Sequence, residues 1–208
     1  MNSKELGKHY NKIAEWWTSQ MKGSDYGMKY AQKAMSLTNK NSKLLDIGCG
    51  SNERIIDEAL KNGFDIVGID VSSEMIRIAK KNHPDVTFIH DDFIEWRTSE
   101  YFDLIIAWDS IFHAPKHFQE KITKKMCSLL NEGGILLFTA GSEAGEVSGE
   151  MEGISFEYGS IGYWEYLNIL SEMKCKIVLM EEDQFPAGHM VFICKKKGEC
   201  HGYTHDPR

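Results

Sequence analysis

Asp46, Gly48, Gly50 and Asp70 carry the first chemical signal in this chain. The run LLDIGCGSNE (44–53) passes from apolar residues and an acid into two glycines one residue apart. Glycines that follow a strand let a ligand lie against the main chain. Asp70 ends the next strand-like run, 22 positions beyond Gly48, about the spacing at which an acid meets the hydroxyls of a ribose. A carboxylate accepts from two vicinal hydroxyls more strongly than a neutral side chain does. A dinucleotide is the rival ligand, and its pyrophosphate asks for a third glycine three places after the second. That place holds Glu53, preceded by Ser51 and Asn52. A carboxylate there opposes a diphosphate, so the loop suits a nucleoside without phosphates.

The elements that must position these residues are visible as alternating patterns. Residues 3–37 are polar with scattered Trp, Tyr and Met, and read as one or two helices ahead of the main fold. Strand-like runs follow at 43–47, 64–70, 86–90, 102–108 and 134–140, each short and apolar, as doubly buried parallel strands are. Between them, Ile55, Ile56, Ala59 and Leu60 form one helical face. Met75, Ile76 and Ala79 form a second, capped by Ser72 or Ser73. Phe118, Ile122, Met126, Leu129 and Leu130 form a third, closed by a turn at Asn131–Gly134. A Gly- and Glu-rich loop (141–160) precedes a helix near 161–172. Strands at 175–181 and 189–195 are joined by a link too short for a parallel crossover, so they pair antiparallel. The alternation predicts an α/β sandwich on a parallel sheet.

At 208 residues the chain is expected to be a single domain, 1–208, with a helical leader (1–40), an α/β core (41–195) and a polar tail (196–208). With 24 Lys and Arg against 31 Asp and Glu, the net charge is −7, which disfavours bulk attraction to nucleic acid. Lys195–Lys197 read as a solvated cluster. The five cysteines are scattered without CxxC spacing, as packing thiols in a reducing compartment are. Cys200, His201 and His205 could nominally bind a metal, but a frayed terminus is the expectation, and no metal is expected. No apolar run reaches membrane-spanning length and the start lacks a signal peptide. A cytoplasmic protein that binds neither nucleic acid nor membrane is expected, as a monomer or homodimer.

Over residues 42–195 the chain resembles the class I S-adenosylmethionine-dependent methyltransferases. LLDIGCGSN is similar to the family's DxGxG motif, with Asn52 where many members carry a third glycine. IVGIDVSSEMI resembles the motif bearing the ribose-binding acid, here Asp70. FIHDDFIEW resembles the third, with Asp91 in its glycine place and Asp92 as the adenine-facing acid. FDLIIAWDSIFH and LLNEGGILLFT resemble the two strands that follow. The resemblance implies a Rossmann-like, doubly wound α/β fold. Its seven-stranded sheet has the order 3-2-1-4-5-7-6, with strand 7 antiparallel, under an N-terminal helical lid. It also implies S-adenosyl-L-methionine as cofactor, with S-adenosyl-L-homocysteine as product.

On that resemblance Asp46, Gly48, Cys49, Gly50 and Asn52 form the loop under the methionine half of the cofactor. Asp70 holds its ribose, Asp92 and Phe93 flank its adenine, and Val71, Met75 and Asp91 are further cofactor-binding candidates. Ala107 and Trp108 end the fourth strand near the sulfonium, a packing tryptophan being the alternative for Trp108. His113 is the candidate catalytic base, since an imidazole near neutrality can take a proton; a hydrogen-bonded loop histidine is the alternative. Tyr10, Trp17, Asp109, Tyr158 and His189 are the candidate substrate residues. Tyr10, Trp16, Trp17 and Tyr26 either cover the sulfonium with ring faces or staple the leader to the sheet. The glutamates of 141–160 are either solvated or select a cationic acceptor. The leading reading is methyl transfer to a small-molecule acceptor. Methylation of a protein or nucleic acid, a non-catalytic module that binds cofactor or product, and a dinucleotide oxidoreductase are the alternatives.

Overall fold

A computed structural model describes residues 1–51, 53–184 and 186–198. The expectations for Asn52 and for Cys200, His201 and His205 lie outside the described residues. Helices α1 (Ser3–Met21) and α2 (Met28–Ser36) precede β1 (Lys43–Ile47), α3 (Glu53–Lys61), β2 (Asp65–Asp70), α4 (Ser73–Asn82) and β3 (Thr87–His90). Then come β4 (Phe102–Ala107), α5 (Gln119–Ser128), β5 (Leu130–Gly141), β6 (Ala144–Met151), β7 (Ile154–Ile161), α6 (Tyr163–Glu172), β8 (Cys175–Gln184) and β9 (His189–Lys196).

Seven of the strands form one sheet in the order β3-β2-β1-β4-β5-β9-β8, in which β9 runs antiparallel to both neighbours. With β8 and β9 as the sixth and seventh strands, this is the 3-2-1-4-5-7-6 order the resemblance implies. Period-two alternation places successive side chains in two different cores. Ile105, Ala107, Leu136, Phe138, Phe192 and Cys194 join α5 and α6 on one face. Leu104, Ile106, Ile135, Leu137, Val191 and Ile193 join α2, α3 and α4 on the other. Both faces are covered, so the middles of the central strands are apolar, as at residues 104–107 and 135–138. Phe138 and Phe192 stack with centroids 4.7 Å apart across the β5–β9 pair.

Three details differ from the sequence reading. Most of residues 141–160, expected as loop, lies in the hairpin β6–β7, a separate two-stranded sheet. Asn131–Gly134 do not close a helix; they lie inside β5, where Phe102 pairs with Leu130 but Leu104 with Ile135. The extra residues are a bulge, with Gly133 at φ 76°. Leu60, placed on the buried face of its helix, is 44% exposed. Ser72, not Ser73, caps α4, its hydroxyl accepting from the Met75 N–H.

Helix α1 crosses the carboxyl edge of the sheet. Ser3, Asn11 and Thr18, about two turns apart, lie on one side of it. The Ser3 hydroxyl donates to Asp92 (2.6 Å) after β3. Asn11 Oδ1 accepts from Ser72 (2.7 Å) after β2, and Thr18 shares a 2.6 Å hydrogen bond with Ser51 after β1. One polar latch per strand end fixes the lid over the loops that the sequence marked.

Candidate active site

A cavity of about 1130 Å³, open mouth included, lies between α1 and the carboxyl ends of β1, β2, β3 and β4. Gly48, Cys49, Gly50, Asp70, Val71, Met75, Asp91, Asp92, Phe93, Trp108, Asp109, His113, Tyr10 and Trp17 all line it, as expected from the sequence. Four expected residues do not. Ala107 is wholly buried in the core beneath α5, because the last residue of β4 points into the sheet sandwich. Asp46 lies 1% exposed under the glycine loop. Tyr158 packs on the His113 ring from outside, with centroids 4.9 Å apart. His189 stands one residue behind the wall, against Asp109.

The glycine loop is built by close approach. Gly48 adopts φ 69°, and a Cβ there would fall 2.3 Å from Ser110 Cβ. Only a bare Cα lets the turns after β1 and β4 converge, and that convergence makes the crevice where strand order reverses. Asp70 closes the next side. Its two carboxylate oxygens accept from the Gly50 N–H (2.8 Å) and the Ser72 N–H (2.7 Å). Each oxygen keeps a second lone pair for another donor. Burial raises the Asp70 pKa, and those two backbone bonds work against the rise. Asp46 is pushed up to about 7 by burial and by the charge of Asp70, with Arg54 opposing. Its Oδ2 is buried without a hydrogen-bond partner among the described residues.

At the β3 end, Asp92 accepts from the Ile94 N–H (2.8 Å) and from Ser3, and Phe93, Ile94, Ile69 and Ile122 supply apolar walls. At the other end Trp108 is boxed by aromatic rings, stacked on Tyr30 (5.6 Å) and edge-on to Tyr26 (5.5 Å). The walls carry Asp70, Asp91, Asp92 and Asp109 beside the side chain of Arg54, a setting that favours a cationic guest.

His113 sits in a short turn after β4, 6% exposed. Its Nδ1 is 3.3 Å from the Glu157 carbonyl, which can only accept, so Nδ1 carries the proton. Nε2 then accepts from the Tyr10 hydroxyl at 2.7 Å. Burial lowers its pKa to about 4, with Asp109 pulling the other way. The ring is neutral and its lone pair is occupied by the lid. The five glutamates of 143–157 are exposed, and none lines the cavity, so the cation-selecting role considered for that segment has no counterpart in the site.

Sequence reasoning missed Arg54, Ser110 and Asp183. Arg54 Nη1 donates to the Tyr26 carbonyl (2.6 Å), tying the α1–α2 link to α3 beside the cavity. Its only sequence signal is a place on the polar face of an amphipathic helix. Among the described residues no group of three or more His, Cys, Asp or Glu is placed to hold a metal ion, and no helix is long and apolar enough to cross a membrane.

Residues 44–134 match the family described as a methyltransferase domain. A ubiquinone biosynthesis O-methyltransferase of Coxiella burnetii is 27% identical over 152 residues, covering 67% of this chain and 62% of that protein. One of Actinobacillus pleuropneumoniae is 30% identical over 158 residues, covering 65% and 63%. The chain thus spans about three-fifths of the length of these curated relatives. The structure of a magnesium protoporphyrin IX methyltransferase from Synechocystis, solved with bound S-adenosylmethionine, superposes with a TM-score of 0.69 at 16% identity, covering 95% of this chain and 98% of that one. At that identity the likeness speaks for the fold.

Proposed function

We propose, because this chain belongs to the class I S-adenosylmethionine-dependent methyltransferases, that it transfers a methyl group from S-adenosylmethionine to a small-molecule acceptor. The observation that carries the reading is Asp70. It is half-buried at the end of β2, held by the Gly50 and Ser72 N–H groups, and faces a cavity whose floor is the glycine loop. The lone pairs left on its oxygens suit a vicinal diol.

The residues present fit the cofactor. Gly48 and Gly50 leave main chain exposed to its methionine half, and Asp46 beneath them sets the loop. Asp92 is placed for the exocyclic amine of adenine and Phe93 for its ring. The acidic and aromatic walls suit a sulfonium. S-adenosylmethionine when bound supplies an activated methyl group for in-line displacement. The chain's task is alignment and exclusion of water. Helix α1 performs the second, latched by Ser3, Asn11, Thr18 and Tyr10. His113 serves in this scheme by holding Tyr10 closed, since its lone pair is already engaged. The name borne by the relatives from Coxiella and Actinobacillus supports a small acceptor.

Calorimetry on ligand-stripped protein tests the cofactor: S-adenosylmethionine and S-adenosylhomocysteine are expected to bind and NAD is not. An acceptor screen read by S-adenosylhomocysteine release tests the transfer. Binding with no turnover on any acceptor would favour the non-catalytic module.

A further inference from the structure

Asp109 in the turn after β4, His189 at the start of β9 and Asp183 in β8 meet in a line running from the cavity wall into the protein. His189 Nδ1 is 2.5 Å from Asp183 Oδ1, and its Nε2 is 2.8 Å from Asp109 Oδ1. With a carboxylate at each ring nitrogen, both nitrogens can donate at once only as an imidazolium, the form this arrangement favours. Burial pulls its pKa down, but the hydrogen bonds and charges of Asp109 and Asp183 outweigh it and the net direction is up.

Two backbone irregularities build this line. Asp109 has φ 48°, outside the comfortable range of a residue with a Cβ. It is held there by Thr139, whose wholly buried hydroxyl accepts from the Asp109 N–H (2.9 Å) and donates to Oδ1 (3.1 Å). Asp183 is the extra residue of a bulge in β8, where Glu182 pairs with Met190 but Gln184 with His189. Bulges re-aim side chains, and this one turns Asp183 toward His189. Both His189 and Thr139 occupy Oδ1 of Asp109. Neither takes Oδ2, Asp109 lines the cavity, and the Tyr26 hydroxyl hydrogen-bonds to the same carboxylate.

We propose that Asp109 takes the proton of the methyl acceptor, with His189 and Asp183 as its positioning residues. The acceptor is then a molecule whose nucleophilic atom carries a proton, a hydroxyl or an amine, and not a carboxylate, which Asp109 repels. The inference rests on the methyl-transfer reading above. As a lone pair of the acceptor oxygen or nitrogen forms its bond to the methyl carbon, the carbon–sulfur pair returns to sulfur. The proton on the attacking atom becomes strongly acidic as its positive charge grows, and passes to Asp109 Oδ2. A carboxylate is therefore a sufficient base although it would not deprotonate an alcohol at rest. The groups that face this line are Tyr26, Arg54, Tyr10 and His113 by charge, and the rings of Trp108 and Phe112.

The test is a panel of phenols and alcohols, amines, and carboxylates on matched skeletons, read by S-adenosylhomocysteine release. Turnover is expected with protic acceptors and not with carboxylates. Asp109→Asn is expected to lower kcat roughly 100-fold while the cofactor Kd, measured by calorimetry, stays within a few fold. His189→Gln and Asp183→Asn are expected to lower kcat about tenfold with the acceptor KM little changed. Nitrogen NMR of the purified protein at pH 7, with no ligand added, is expected to find both His189 ring nitrogens protonated in the wild type. That readout survives if Asp109→Asn fails to fold. Preference for carboxylates, an undiminished kcat in a folded Asp109→Asn, or a neutral His189 ring would each overturn the proposal. A wild type that binds no S-adenosylmethionine strikes the methyl-transfer reading itself.

Discussion

The Tyr10 hydroxyl donates to Nε2 of His113 over 2.7 Å, joining helix α1 to the turn after β4 across 103 residues of chain. The acceptor is a buried imidazole nitrogen, so removing the donor leaves it unsatisfied. Tyr10→Phe is expected to lower stability by about 1–3 kcal/mol, to speed amide exchange in α1 and to speed cofactor release. Hydrogen exchange followed by mass spectrometry checks this. Unchanged exchange in α1 would mean that Ser3, Asn11 and Thr18 hold the helix without Tyr10.

Gly7 sets two effects against each other. It lies inside α1, where alanine is worth about 0.5–1 kcal/mol over glycine. A Cβ there would also fall 2.3 Å from the Val71 carbonyl oxygen. Backbone cannot step aside as a flexible side chain can, so the clash wins. Gly7→Ala is expected to lower the melting temperature and weaken cofactor binding, despite its better helix propensity. A rise in melting temperature would show that the lid rides higher than described.

Stability against pH follows from two buried groups of opposite sense. His113 is lowered to about 4, so between about pH 6.5 and 4 the unfolded chain binds a proton that the folded chain refuses. Stability from this source is lost as pH falls, by on the order of 3 kcal/mol. Asp46 is raised to about 7 from 3.8, so the folded chain keeps a proton that the unfolded chain releases. Stability from this source is lost as pH rises over that range, by on the order of 4 kcal/mol. The two slopes cancel between about pH 4 and 6.5. Relative to wild type, His113→Gln is expected to gain stability toward acid and Asp46→Asn to gain it toward pH 8. Urea midpoints measured from pH 4.5 to 8 check both signs.

The sheet was legible because its strands are buried on both faces. Leu104 through Ala107 and Ile135 through Phe138 are all fully buried, and such runs leave little room for another reading. The hairpin β6–β7 was not. Its apolar content is slight, Val147 is 67% exposed and Phe156 alone is wholly buried, so neither period stood out. The cavity lining at the ends of β1, β2 and β3 was legible because its residues follow strand ends in register: Gly48 after β1, Asp70 closing β2, Asp92 after β3. The rest of the cavity's surroundings depends on contacts between distant segments. Asp183 meets His189 only through a bulge, and Tyr10 meets His113 only because α1 folds back across the sheet; no local pattern encodes either. For the same reason the sequence left His113 open between a base and a hydrogen-bonded loop histidine, and its bond to Tyr10 matches the second.

The approach of Gly48 to Ser110 offers a test that separates crowding from backbone strain. Gly48→Ala places a Cβ 2.3 Å from Ser110 Cβ and also asks alanine to hold φ 69°. The second demand alone costs about 1–2 kcal/mol, and the clash adds to it. Ser110 Oγ is buried without a hydrogen-bond partner among the described residues, so Ser110→Gly removes none of the described hydrogen bonds and is expected to be mild. Combined with Gly48→Ala, it removes the obstructing atom but not the strain. The double variant is expected to recover the part of the loss due to crowding and to remain about 1–2 kcal/mol below wild type. Chemical denaturation of the four proteins gives the coupling energy directly. No coupling between the two positions would mean that the turns after β1 and β4 are not in contact, and that the cavity floor is built some other way.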